Sequence, residues 1–461
     1  MVTISACATG LLTCGNNIVL EQYKIDVCLD YALKVLLGDQ NSDAFRKYIS
    51  YSASELQTEN TIRLRIVQSG FFGEDYGKPS SLPRLPLKEI EGTPLLYGTP
   101  RIQSKDGCLN IHADIIASTY FLVTRYEEMV RRDVRDEHGR FPGRESLPYR
   151  AGFIHRPIVD EYAALLRKWL RDTGVDVPEP KRHFSILPTH DVDVLRKYTH
   201  AFQPFRSLLS AILGRQPLRN IPESLMIALG FRNDPLDTFE QIIAIDETFG
   251  AGLARPPIFF FMGGGKSRFD GFYDIHSKAA RNTIKLLRRA GAEIGLHTSY
   301  EASIHPELIA EEKGALEEVC GIAVHYNRNH YLTWREIENG WALAKAGISR
   351  DSSLGYADVA GFRLGVCRPI PLLDPVKIQP FGIEEHPLIV MDSTLSNVNY
   401  MNLNEEEAFS YCQRLIEQTH KHNGEFVMLW HNTMFSSESS NYHPELYQKL
   451  FHDLNYCGEK K

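Results

Sequence analysis

Residues Ile186–Leu195 read ILPTHDVDVL, an apolar start that runs into a histidine and two aspartates. A strand buried on both faces is apolar almost throughout. The first half of this stretch fits that description and the second half does not. In an extended strand Asp191 and Asp193 share one face and His190 points to the other. Two carboxylates on one face repel unless a cation or an arginine compensates them. The simpler alternative is a loop whose aspartates cap a following helix. D-x-D alone does not separate the two.

The surrounding sequence does more. After 180, apolar strand-like runs alternate with helical ones: 184–194, a helix around 238–249, then PIFFFM (257–262). A helix around 275–290 precedes AEIGLHTS (292–299), and another around 306–319 precedes IAVHYNRNHYL (322–332). A helix around 334–346 precedes GISRDSS (347–353), and one around 405–420 precedes EFVMLWHN (425–432). Repeated strand–helix alternation predicts a parallel sheet or a (β/α) barrel. Each run becomes ionisable only at its carboxyl end, at Asp191 and Asp193, His297, Arg328 and His330, Asp351, and His431. In a parallel barrel those ends share one face, where such folds place their chemistry.

Taken singly, these residues are ambiguous. His297 and Glu301 stand at i and i+4, within reach of one metal ion on a helical turn, although Glu301 also suits the start of a solvated helix. Arg328 suits a buried carboxylate, and His330 suits a metal or a substrate. His431 sits beside Trp430 in a partly apolar setting and is a candidate general acid. FMGGGKS (261–267) lacks phosphate-loop spacing. Its glycines predict close backbone approach at the edge of the site. No nucleophile elbow is present.

The boundary of this region is RDTGVDVPEPKRH (171–183), where glycine, prolines and charge separate two textures. Residues 1–180 read as a smaller mixed α/β domain, with helices over 31–38 and 158–170 and a strand over 61–67. Residues 181–461 read as the barrel domain, with an insertion around 195–235 that breaks the rhythm.

Composition narrows the function. The chain has 461 residues, is 43% hydrophobic, and carries 51 basic against 58 acidic side chains for a formal charge of −7. That balance offers no footprint for nucleic acid. Eight cysteines are scattered without a C-x-x-C pair, as in a reducing compartment. The amino terminus shows no basic leader and no run long enough to span a bilayer. A cytoplasmic protein without a membrane span is expected. The oligomeric state is not legible.

In order along the chain, THDVD, GLHTSYE, RNHYL, RDSSLGYADVAGFRLG and LWHNT resemble the motifs of the polysaccharide deacetylase superfamily (NodB homology, carbohydrate esterase family 4). The likeness covers roughly residues 183–435 and is greatest to bacterial members with an additional amino-terminal domain. It implies a distorted (β/α)7-type barrel and metal-dependent hydrolysis of an acetamido or related C–N bond. It also implies Asp191 as general base, Asp193 and His297 as metal ligands, Arg328 as the partner orienting Asp191, and His431 as the acid for the leaving amine. Asp351 is placed as a support for His431 by a looser match. The second motif departs from the usual H-[ST]-x-x-H because Glu301 occupies the second histidine position. The third ligand is therefore Glu301, His330 or water, and a carboxylate there would alter metal preference.

The expected cofactor is a divalent metal, zinc first, with cobalt, manganese or nickel as alternatives. The expected partner is an N-acylated sugar or glycan precursor, from which an acyl group, acetyl first, is removed. Two further readings remain: a metal-dependent hydrolase of a non-sugar C–N bond such as a cyclic imide or ureide, and a non-catalytic carbohydrate-binding protein on a deacetylase-like barrel.

Overall fold

The computed structural model describes residues 22–53, 61–105, 107–198, 226–227, 231–248, 253, 255–271, 273–335, 337–436 and 441–458, with side chains to 450 in the last segment. Most of the insertion expected around 195–235 lies outside the described residues.

The amino-terminal part builds a four-stranded sheet from β1 (Ile49–Ser52), β2 (Leu64–Val67), β5 (Gly98–Lys105) and β6 (Cys108–Ala113), in the order β1-β2-β6-β5. Strands β3 (Lys88–Ile90) and β4 (Thr93–Leu95) form a separate antiparallel pair. The expected strand at 61–67 is β2, and the expected helices lie within Gln22–Leu37 and Ile158–Asp172. Helix Ile158–Asp172 buries Ile158, Tyr162, Leu165, Leu166 and Trp169, the i, i+3/i+4 stripe of an amphipathic helix. This part is joined to the rest by buried charge pairs. Arg363 grips Glu128 at 2.6 and 2.9 Å, and Arg368 reaches Asp160 at 2.6 Å. Buried apolar side chains from residues 28 to 450 form one connected core.

The second sheet has nine strands: β7 (Ser185–Val192), β8 (Ile258–Phe261), β9 (Glu293–Thr298), β10 (Tyr326–Asn329), β11 (Arg350–Asp351), β12 (Ile370–Asp374), β13 (Gln379–Glu385), β14 (Leu388–Met391) and β15 (Glu425–Leu429). Their order is β12-β13-β11-β10-β9-β8-β7-β15-β14, and every pair is parallel except β12–β13. The sheet curls strongly. Strands β13 and β14 stand near opposite ends of the order, yet only His386 and Pro387 join them. Two residues span at most roughly 10 Å, so the sheet's edges are brought together. Leu187, Ile258, Phe260, Tyr326, Leu388, Val427 and Leu429 pack inside the curl as a second core.

Sequence explains the elements that flank it. All four residues of β8, IFFF, are buried, as a strand covered on both faces requires. Helix Lys278–Arg289 starts on Ser277, whose side chain accepts from the Ala280 amide, and buries Ala280, Thr283, Ile284 and Leu287. Helix Glu405–Lys421 opens with a reciprocal capping box between Asn404 and Glu407. Strands β12, β13 and β14 were not expected from the alternation. No helix among the described residues is long and apolar enough to cross a membrane.

Candidate metal and catalytic centre

The residues at the strand ends converge inside the mouth of the curl. Asp193 follows β7 directly, His297 is the penultimate residue of β9, and His330 follows β10. Among the described residues these three form a group able to hold a metal ion, with one ligand atom from each lying within 4.8 Å of the others. Asp193 Oδ1 stands 3.2 Å from His297 Nε2 and 3.5 Å from His330 Nε2. The other ring nitrogen of His297, Nδ1, lies 2.8 Å from the Arg328 carbonyl, which puts a proton on Nδ1 and turns Nε2 toward the group. His330 Nδ1 lies 3.6 Å from Asp270, a carboxylate 2% exposed.

Two imidazoles and one carboxylate, open on the cavity side, form a donor set suited to a divalent metal. The local charge agrees. Burial opposes protonation of His330, but Asp193 and Asp270 raise its pKa to about 9. Burial also opposes ionisation of Asp193, yet the charge of His330 and hydrogen bonds from both histidines hold it well below the usual carboxylate range. A field that attracts a proton to His330 also attracts a metal cation, which competes for the same lone pair.

Asp191 points the same way as Asp193, as the alternation predicts, and is 3% exposed. Its Oδ2 is 3.6 Å from His297 Nε2, and its Oδ1 is buried without a hydrogen bond, 3.9 Å from Arg328 Nη1. Arg328 is fully buried, donates from Nη2 to Thr189 Oγ1 and Ser352 Oγ at 2.9 Å each, and lies over the Phe260 ring. The Thr189 contact crosses from β10 to β7, three strands apart, which a flat sheet would separate by roughly 14 Å. His190 faces outward instead: its ring stacks on Phe259 and bonds the Trp430 carbonyl.

His431 follows β15, with Nε2 3.6 Å from Asp193 Oδ2. Its Nδ1 is 2.8 Å from Asp392 Oδ1, and its backbone amide donates to Asp392 Oδ2 at 2.6 Å. Burial opposes protonation of His431, but Asp392, with Asp193 and Asp191 behind it, raises its pKa to about 10.

Two sequence expectations are corrected. Asp351 does not support His431. It accepts from Asn327 Nδ2 at 2.7 Å and from the Ser353 amide and hydroxyl, and it neighbours Glu385 beneath Arg328. Asp392 occupies the place beside His431, because β14 ends next to β15 whereas β11 lies five strands away. Glu301 is not in the metal group. It sits in the first turn of a helix capped by Ser299, and its carboxylate accepts from the Lys266 amide at 2.7 Å in the glycine-rich loop. His330 is the third member. Asp392 carried a readable signal, since PLIVMDST (387–394) is another apolar run ending in a carboxylate. Asp270 had none.

The amino-terminal part also reaches the site. The centre opens into a cavity of about 280 Å³ whose lining includes Arg140, Asp191, Asp193, His330, Tyr400 and His431. Arg140 is held by Asp136 at 2.7 Å, donates to the Tyr331 carbonyl at 2.9 Å and reaches the Tyr400 hydroxyl at 3.1 Å. Tyr331 and Leu332 have φ of 59° and 56°. Side chains in that left-handed region cost about 1–2 kcal/mol each, so neighbouring contacts must hold the turn in place. His138, Phe269 and Tyr300 pack around the Tyr331 ring.

Among known families, a model described as a family of unknown function (DUF7033) matches residues 17–174. No curated protein matches the chain. Several solved structures are similar over about 60% of the chain. A putative polysaccharide deacetylase from Mycobacterium smegmatis is 19% identical, covers 62% of this chain and 87% of its own, and has a TM-score of 0.39. A family 4 carbohydrate esterase from Streptomyces lividans, in complex with acetate, is 9% identical over 61% of this chain and 91% of its own, with a TM-score of 0.29. A polysaccharide deacetylase from Bacillus cereus is 9% identical over 60% and 89%, with a TM-score of 0.31.

Proposed function

We propose that the chain is a divalent-metal hydrolase that removes an N-acyl group, acetyl first, from an N-acylated sugar or glycan precursor. The observation that carries this reading is the grouping of Asp193, His297 and His330 between Asp191, backed by Arg328, and His431, backed by Asp392. The motif order in the sequence supports the same class. Asp193, His297 and His330 would hold the metal, zinc first. When bound, a divalent metal supplies Lewis-acid polarisation of an acyl carbonyl and acidifies a water.

The chain's own groups supply the proton transfers. Asp191 carries an oxygen with no hydrogen bond, 3.9 Å from Nη1 of the buried Arg328. It accepts the proton of the attacking water. His431, its Nδ1 bonded to Asp392, presents a proton on Nε2 and gives it to the nitrogen of the breaking C–N bond. The C–N electron pair leaves with the amine, which departs neutral. The acyl carbon acquires the water's hydroxyl and leaves as the carboxylic acid, whose remaining proton passes to solvent to give the carboxylate. Pocket walls from Arg140 and Tyr400 position the substrate's sugar.

The test is acetate release from a panel of N-acetylated sugars with zinc, cobalt or manganese added. Release by the wild type that Asp191→Asn abolishes supports the reading. Stoichiometric metal and glycan binding without release replaces it with a binding protein, and release only from a cyclic imide or ureide replaces the sugar with a non-sugar amide.

A further inference from the structure

A second polar cavity lies at the amino-terminal ends of β7 and β15, at the opposite end of the sheet from the metal centre. It measures about 230 Å³, and its lining includes Asp160 and Arg167 of helix Ile158–Asp172, Glu179 and Arg182 of the connector into β7, and Lys421 and His422 before β15. The chemistry proposed above uses none of them.

Its charges do not balance internally. Asp160 is already engaged, with Arg368 Nε at 2.6 Å on one oxygen and the Cys367 amide at 2.8 Å on the other. Glu179 is 66% exposed and divided between Arg171 at 2.6 Å and Arg167 at 3.3 Å. Arg167 is 8% exposed; the contact to Glu179 is made by its Nε, and its Nη1 donates to the Leu36 carbonyl at 3.4 Å. His422 Nε2 is buried without a partner. The Arg182 guanidinium makes no hydrogen bond or ion pair among the described residues, and burial together with the Arg368 charge lowers its pKa to about 10. Arg167, Arg182 and Lys421 line the cavity, and Arg368 and Arg171 hold its two carboxylates from outside the lining, so five cations stand against two carboxylates in a partly desolvated space. Leaving such charge without a counter-ion is unfavourable. A dianion with oxygens on several sides matches both the charge and the forked donors.

We propose that this cavity binds a phosphate group, as the free ion or as the phosphoryl end of a small ligand, with Arg167, Arg182 and Lys421 as its cationic partners. The cavity's distance from the metal centre along the sheet makes the bound group a structural or regulatory ligand rather than a substrate. This inference is independent of the deacylase reading, because binding is measured directly.

The experiment is titration calorimetry on the full chain with inorganic phosphate and with a hexose 6-phosphate, at ionic strength matched by chloride. Saturable one-to-one binding is expected, weakened at least about tenfold in Arg182→Gln by the loss of one charge-assisted contact. Without phosphate, Arg182→Gln melts no lower than wild type, because the guanidinium it removes makes no hydrogen bond among the described residues and the like charge of Arg368 outweighs its attraction to Asp160. Tighter binding of the hexose phosphate assigns an esterified ligand, and equal or weaker binding assigns the free ion. The proposal is overturned if neither probe binds saturably to the wild type. It is also overturned if Arg182→Gln and Lys421→Gln both bind phosphate as the wild type does.

Discussion

Asp392 holds His431 at two points, accepting from the ring Nδ1 at 2.8 Å and from the backbone amide at 2.6 Å. The carboxylate therefore sets both the position of the ring and the nitrogen that faces the cavity. A histidine so held keeps its transferable proton on Nε2, toward Asp193 and the substrate space.

Asp392→Asn tests that role. The amide keeps the shape but loses the charge that sustains protonated His431. A drop in kcat on the order of 10²-fold is expected, within the range that general acid catalysis supplies. KM and metal stoichiometry should stay near wild type. Steady-state kinetics beside elemental analysis checks this, and a loss of metal would instead make Asp392 a structural residue.

His330 and Glu301 make opposite predictions for metal affinity. Removing a true ligand should cost more than the roughly 10–100-fold attached to a supporting partner. Chelator-competition titration of His330→Ala should show such a loss, whereas Glu301→Gln should stay within about threefold of wild type. The reverse ranking would return Glu301 to the centre and leave His330 as a neighbour.

These two cases show what the sequence made legible. The common phase of Asp193, His297, Arg328 and His431 at strand ends was readable, because strand alternation and parallel order are local properties. The third member of the candidate metal group was not. Glu301 has the familiar i, i+4 spacing from His297, but Ser299 caps a helix between them and turns the carboxylate toward Lys266. His330 stands one residue past β10 and shares the strand-end phase, but spacing alone cannot rank it against Glu301. Asp392 was missed for a different reason. Strands β12, β13 and β14 follow one another without intervening helices, so the alternation that marked the other runs disappears there.

Arg140 links the amino-terminal part to the centre through the Tyr331 carbonyl. Arg140→Ala should release the strained turn and loosen His330 beside it. Roughly tenfold lower kcat/KM is expected from misplacing the site, with Arg140→Lys recovering only part because it lacks the fork. Global unfolding measured by urea should change by less than about 1 kcal/mol, since Arg140 bonds groups at the pocket rim. A large stability loss with intact kcat/KM per folded molecule would make the contact purely structural.

Gly263 permits a close approach that a side chain would block. A Cβ there would meet the Glu312 carbonyl oxygen at 1.9 Å, backbone against backbone. Gly263→Ala must push the loop away from helix Ile309–Cys320, at a cost of about 2–3 kcal/mol in urea unfolding. Gly314→Ala, where nothing stands within 4 Å of the added Cβ, is the control and should not destabilise.

Glu312 gives the fold a pH dependence separate from the metal ligands. It is 4% exposed and accepts from the Ser299 amide at 3.0 Å and the Ser299 hydroxyl at 2.5 Å. Burial, aided by the charges of Asp270 and Glu301, outweighs those bonds and raises its pKa from 4.5 to about 7. The folded chain then binds a proton that the unfolded chain releases between these two values. Stability from this group is full below pH 4.5 and is lost as the pH rises through 7. Glu312→Gln keeps a neutral acceptor for Ser299 and removes the titration. The stability of Glu312→Gln relative to wild type should therefore rise by on the order of 2 kcal/mol between pH 4.5 and pH 8, measured by urea unfolding of metal-free protein. A constant difference across that range would mean that Glu312 is already ionised in the fold, with Ser299 outweighing burial.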